Sequence, residues 1–171
     1  MNHNENKIQN IIEKLNLMPH PEGGYYREIY RSEGTIQSES LTNAFSGTRN
    51  YATSIYFLLT SDTFSAFHKI NQDEIWHFYD GSPIQLHIIS EKGKHTQHVI
   101  GKDIFNNQVP QLVVPAYHWF AAKTIHQNDY SLVGCGVSPG FDFKDFTLPS
   151  REELLKKYPQ HKKVILAFTR E

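Results

Sequence analysis

The 171-residue chain has one cysteine, Cys135. No intramolecular disulfide is open to it, and the composition fits a reducing compartment. Cys135 lies in "SLVGCGVSPG", an apolar run that reads as a buried strand, so a core thiol is expected rather than a nucleophile. A charge surplus is missing as well, with 17 basic residues against 18 acidic. Nucleic-acid binding would need a basic excess or stripe, and pairs such as Lys156–Lys157 sit among acids on what reads as a solvated surface. No apolar run approaches the ~20 residues of a membrane helix. The polar start "MNHNENKIQN" has no signal-peptide core. These absences point to a cytoplasmic protein without nucleic-acid or membrane partners. P-loop, Rossmann and Ser–His–Asp phrases are lacking too.

Aromatic residues are plentiful, with 11 Phe, 9 Tyr and 2 Trp. They suit strands and aromatic-walled pockets equally. Ile8, Ile11, Ile12 and Leu15 recur at helical spacing, so residues 5–16 read as an amphipathic helix. "MPHPEGGYY" must be a tight turn, and "YYREIYRS" a strand. Residues 32–50 are polar and read as a long loop. From residue 51, short β-branched and aromatic segments follow one another, separated by "DGSP", "EKGK" and "HQND". Closely spaced strands without intervening helices argue for an antiparallel sandwich or barrel. Ser150 and Glu153 form a capping box for a helix ended by Pro159, beyond which "QHKKVILAFTRE" reads as a second helix. The whole chain, 1–171, is expected to be one mainly β domain, with a barrel core near 24–147 and a helical tail near 150–169.

"SAFHKINQDEIWHFYDG", residues 65–81, spaces His68, Glu74 and Gly81 as the first motif of the cupin superfamily does, G-x5-H-x-H-x3,4-E-x6-G. The second motif histidine falls on Ile70 and the leading glycine on Asp62. Of the second motif, G-x5-P-x-G-x2-H-x3-N, Pro115 matches; its later glycine, histidine and asparagine fall on Tyr117, Phe120 and Thr124. "PHPEGGYY", "SIYFLL", "DEIWHFYDG", "VVPAYHWFAA" and "VSPGFDFKDF" resemble, in order, the signatures of the fifth cupin family, long filed as a domain of unknown function. The resemblance runs from about residue 17 to 147. It implies a double-stranded β-helix, or jelly roll, with an N-terminal helix and short helical tail, usually as a homodimer. It implies no established activity. Nucleotide-sugar epimerases share the barrel, which bears on fold rather than function.

A catalytic metal wants three or four imidazole, carboxylate or thiolate ligands. His68 and Glu74 would supply two. His118 is the substitute third ligand, but it lies two residues, about 7 Å, from the motif position at Phe120. The metal-free reading is therefore preferred, and no cofactor is expected. In that reading His68 and Glu74 are a desolvated pair that binds an organic ligand or works as acid and base; the plain alternative is a satisfied polar pair closing the barrel. Strand alternation puts Glu74, Trp76 and Phe78 on one face. Trp76 is the first choice of stacking wall. Trp119 is the second, on the strength of the family phrase, since alternation from Phe120 turns it outward. Phe141 is a further aromatic candidate. Tyr56 is expected to present its hydroxyl to the same space. "PHPEGGYYRE" is either a rigid turn or a loop over the mouth offering His20, Glu22 and Arg27. The leading expectation is a binder of a polar or planar metabolite, a nucleotide or sugar derivative. The alternative is an epimerase- or isomerase-like enzyme, with His68 as base, Glu74 as its orienting partner and Tyr56 as acid.

Overall fold

The computed structural model describes residues 3–171, with helix α1 at His3–Leu15. The strands are β1 Met18–Pro19, β2 Tyr25–Arg31, β3 Thr35–Ile36, β4 Arg49–Asn50, β5 Thr53–Thr60 and β6 Ser65–His68. There follow β7 Asp73–Gly81, β8 Ile84–Ile89, β9 His95–Ile100, β10 Gln111–Val114, β11 Trp119–Thr124 and β12 Tyr130–Ser138. Helices α2, Arg151–Lys157, and α3, Lys162–Ala167, complete the tail. The expected helix, strands and tail are all present, and the loop at 32–50 carries the short pair β3–β4 and a single 3-10 turn at Ser38–Ser40. Among the described residues no helix is long and apolar enough to cross a membrane.

One sheet runs β1-β2-β5-β12-β7-β10 and the other β6-β11-β8-β9. Every pairing within them is antiparallel. The chain passes from one sheet to the other between β5 and β6, β6 and β7, β7 and β8, β9 and β10, and onward to β12. That repeated crossing makes a jelly roll rather than two stacked meanders. Alternate side chains from both sheets, including Phe57, Leu86, Trp76, Phe120 and Val133, fill the space between them. Burying each such side chain stabilises the fold by roughly 1.5–3 kcal/mol.

Both outer faces carry helix. The apolar stripe of α1 packs on Leu58 and Tyr130 of the larger sheet. Leu154, Tyr158, Ile165 and Phe168 of the tail cover Phe67, Ile89 and Trp119 of the smaller one. Double coverage explains why β8, "IQLHII", does not alternate cleanly: Ile84, Leu86 and Ile88 face the core while Ile89 faces the tail. Ser150 caps α2 reciprocally with Glu153, as its sequence requires.

Two motif positions acquire a physical reason. Gly81 has φ +91°, and a Cβ there would stand 2.2 Å from the Tyr130 carbonyl oxygen; no side chain fits. Tyr117, where the cupin pattern has glycine, still holds φ +65°. The left-handed turn is made here by a residue that adopts it less easily than glycine.

Candidate functional site

A cavity of about 500 Å³ opens at one end of the sandwich. Thr53, Ile55 and Phe57 of β5, Glu74 and Trp76 of β7 and Cys135 and Val137 of β12 form its sheet wall. Each set is spaced by two residues, so each is the inward face of its strand. The loop before β2 contributes His20 and Glu22, and the segment after β12 contributes Phe141, Phe143 and Phe146. Glu28 and Arg31 also line the cavity, three residues apart on one strand. A register irregularity between Glu28 and Tyr30 allows this by resetting the alternation. Arg31 then grips Glu28 with two hydrogen bonds of 2.8 and 2.7 Å. Two further donors go to Asn50 Oδ1 and the Phe141 carbonyl.

The segment carrying the phenylalanines is pinned from below. Arg49 donates from Nε and Nη2 to Asp145 at 2.7 and 2.6 Å, and Gln72 Nε2 donates to the same carboxylate at 2.8 Å. Arg49 Nη1 reaches the carbonyls of Ser46, Gly47 and Thr48. A buried guanidinium this well satisfied fixes the rim as a rigid frame.

His68 is 2 % exposed and has acceptors on both ring nitrogens. Nδ1 donates to the Ala66 carbonyl at 2.7 Å, and Nε2 stands 3.0 Å from Glu22 Oε2. Two acceptors require two N–H groups, which is the imidazolium. Burial pulls the His68 pKa down, but Glu22, with help from Glu74 and the carbonyl, outweighs it and raises the pKa overall. Burial pushes Glu22 up; the His68 charge and hydrogen bond, His20 and Ser65 bring it below its ordinary value. Ser65 Oγ donates to Glu22 at 2.8 Å. His20, by contrast, is lowered by burial and by the His68 charge, only partly offset by Glu22.

Glu22 is delivered by the Gly23–Gly24 turn. Gly23 has φ +117°, and a Cβ on it would meet the Phe64 carbonyl oxygen at 2.1 Å. The turn is also held from the tail: Arg170 donates from Nη1 to the Glu22 carbonyl at 2.6 Å and from Nη2 to the Phe64 carbonyl at 3.0 Å.

Glu74 is the carboxyl left over. Burial, reinforced by the Glu22 charge, pushes its pKa up to about 7 against the opposing pull of His68. Its neighbours are the Cys135 thiol and the Trp76 indole, each of which favours the carboxylate modestly. The Trp76 N–H is fully buried and meets no acceptor in good hydrogen-bond geometry, its interaction with Glu74 included. Cys135 is raised well above the usual thiol range by burial and by Glu74. It stays a thiol, in keeping with a core rather than a nucleophilic role.

Of the residues singled out from the sequence, His20, Glu22, His68, Glu74, Trp76 and Phe141 meet around this cavity. Five do not. Tyr56 lies on the opposite face of β5 from Phe57, packed with the α1 cluster and edge-on to Tyr79. Phe78 shares the face of Trp76 but lies further along the strand, only partly buried against the core cluster and off the cavity. Trp119 turns outward beneath the tail, with Lys69 over its ring, as alternation from Phe120 requires. His118 occupies the preceding turn, its Nδ1 bonded to the Ala116 carbonyl at 2.9 Å. Nor does Glu74 orient His68; Glu22 does. Arg27 faces away and bonds the Leu15 carbonyl. Phe146, not singled out from the sequence, also matters: its ring lies 5.4 Å from that of His68.

The residues present do not fit a cupin metal. Both His68 nitrogens are engaged, the second motif histidine is Ile70, and the third is Phe120, whose ring centroid lies 4.0 Å from that of His68. Among the described residues no group of three or more His, Cys, Asp or Glu is placed to hold a metal ion.

Fold and motif together define a cupin. The model of one family, described as "Cupin superfamily (DUF985)", matches residues 9–149, and the chain belongs to that family. It is 41 % identical to protein SO0799 from Shewanella oneidensis, with a TM-score of 0.84 over 95 % of this chain and 96 % of that one. A hypothetical protein from Leishmania major is 34 % identical, with a TM-score of 0.87 over 95 % and 98 % of the two chains. The uncharacterized protein YML079W of Saccharomyces cerevisiae is 35 % identical over 158 residues, 87 % of this chain and 78 % of that protein.

Proposed function

We propose that the chain binds a small, polar, planar metabolite in this cavity. The observation that carries the reading is a space of about 500 Å³, large enough for a one- or two-ring ligand. A fixed ion pair and a second carboxyl, Glu74, outside that pair converge in it. Phe57, Trp76 and Phe141 offer flat walls, while His68, Glu22 and Glu74 supply orientation. A scaffold without a ligand would gain nothing from keeping three ionisable groups in an aromatic pocket.

A thermal-shift screen of nucleosides, nucleotides, sugars and neutral heterocycles tests the reading, with Val137→Phe as the variant that fills the cavity. Ligands should raise the melting temperature of the wild type and leave the filled variant unmoved. Equal shifts in both proteins, or none in the wild type, would overturn it.

A second reading, an isomerase- or epimerase-like enzyme, is favoured by Glu74. A carboxyl that titrates near neutral pH exchanges protons readily. His68, committed at both nitrogens, serves as fixed charge instead of base, and Tyr56 is not in reach.

A further inference from the structure

The cavity is short of positive charge. Its lining holds four carboxyls, Glu22, Glu28, Glu74 and Asp142, against two cations, Arg31 and His68. Arg31 is matched by Glu28 and His68 by Glu22, and Arg49 behind the rim is matched by Asp145. Among the described residues neither Glu74 nor Asp142 has a cation at ion-pair distance. Asp142 instead accepts the Lys144 backbone N–H at 2.9 Å. On the inner side of the cavity two carboxyls, Glu22 and Glu74, act on the one His68 imidazolium. That trio is one positive charge below neutrality. A phosphate or carboxylate would find no unmatched cation there, and the surplus of acids repels it.

Two further features point to what supplies the missing charge. The rim phenylalanines Phe141, Phe143 and Phe146 stand edge-on to one another, with centroids 5.0, 6.4 and 6.0 Å apart. Their faces therefore turn in three directions, and a ring face attracts cations and repels anions. Phe143 is 49 % exposed, although the Arg49–Asp145 pair holds its segment rigid. His20 is the second feature. Its side chain is 7 % exposed, Nδ1 accepts the Glu22 backbone N–H at 3.4 Å, and Nε2 has no partner among the described residues. A polar group so buried in the lining is left for a ligand. Burial and the His68 charge lower the His20 pKa, so this imidazole adds no positive charge at neutral pH.

Resting on the reading of the cavity as a ligand site, we infer that it takes a planar organic cation, such as an amidinium, a guanidinium or a protonated amino-heterocycle. The charged end meets Glu74, and the ring lies among Phe141, Phe143 and Phe146. Asp142, between two of those rings in the sequence, draws the cation to the mouth. The ligand class is thereby cationic, and not a phosphorylated sugar or nucleotide.

Benzamidine, benzamide and benzoate share one planar shape as cation, neutral molecule and anion. Each is titrated into nitrogen-15-labelled protein, with the backbone amides of Phe141, Asp142 and Phe143 reporting from the rim. Benzamidine should bind at least about tenfold more tightly than benzamide, the step from a neutral to a charge-assisted contact, and benzoate more weakly than both. Val137→Phe, which fills the cavity, should abolish benzamidine binding. Glu74→Gln keeps the shape of the carboxyl without its charge, and should bring the preference for benzamidine to within about twofold. If benzamide or benzoate binds as well as benzamidine, or the preference survives Glu74→Gln, the inference is wrong and the ligand site stands. If none of the three binds at millimolar concentration, or benzamidine binds the filled variant equally, the inference falls as well. The thermal-shift screen alone then decides the ligand site.

Discussion

His68 and His87 are both buried, at 2 % and 6 % exposure, and they carry opposite charge states. His68 faces a carboxylate and a carbonyl, and its pKa rises. His87 lies under the helical tail, stacked on His95 with Nδ1 at 3.0 Å from its Nε2 and tilted against Phe168. Burial, then His95 and Lys123, lowers its pKa to about 4. Desolvation pushes both imidazoles the same way; the partners decide the outcome. One histidine thus serves as a fixed charge inside a cavity, the other as a neutral packing surface that tolerates acid poorly.

The largest test converts the first histidine into the second. Glu22→Gln should drop the His68 pKa below 6.5, followed by NMR of its ring. It should cost about 3 kcal/mol of stability at neutral pH, the low end for a broken buried pair because imidazole can shed its proton. An unchanged His68 titration would break the comparison. Glu74→Gln comes next and acts in the other direction. The native chain holds that proton up to about pH 7, whereas the unfolded carboxyl gives it up near 4.5, so the wild type loses stability as pH rises between them. The variant should match the wild type below pH 4.5 and exceed it above pH 7, by at most roughly 3.5 kcal/mol at ~1.4 kcal/mol per unit. Denaturant titrations at both ends of that range show whether the gap opens. The smallest effect belongs to His87→Gln. As pH falls from 6.5 towards about 4, the unfolded imidazole takes a proton that the native one refuses, and stability drains away. Removing it should flatten that acid limb by about 1 kcal/mol, allowing for partial solvent contact.

Much of the architecture was legible because periodicity reports it directly. The apolar stripe of α1, the Ser150–Glu153 box and the facing of Glu74 with Trp76 follow from spacing alone. Facing within a strand, however, does not say what lies across from it. Tyr56 is a strand residue with a hydroxyl, and only the inward position of Phe57 next to it reveals that it turns away. Trp119 shows the converse, since alternation gave its direction and a family phrase argued against it. The partner of His68 was least accessible. Glu22 lies 46 positions upstream, a separation read from the numbering, in a loop without period. Its one signal was the adjoining glycine pair, which marks a backbone pressed against another segment.

The Arg170 grip on the Glu22 carbonyl spans 148 positions of sequence. Contacts that far apart close late, because chain entropy must be surrendered before they return anything. The sandwich can therefore collapse around its apolar layers while the turn bearing Glu22 is still loose, with His68 neutral for want of a counter-charge. Docking of the tail sets the carboxylate in place, and the imidazole then takes up its proton. On this account refolding should end with proton uptake at His68, which a pH-indicator dye in a stopped-flow refolding experiment would register.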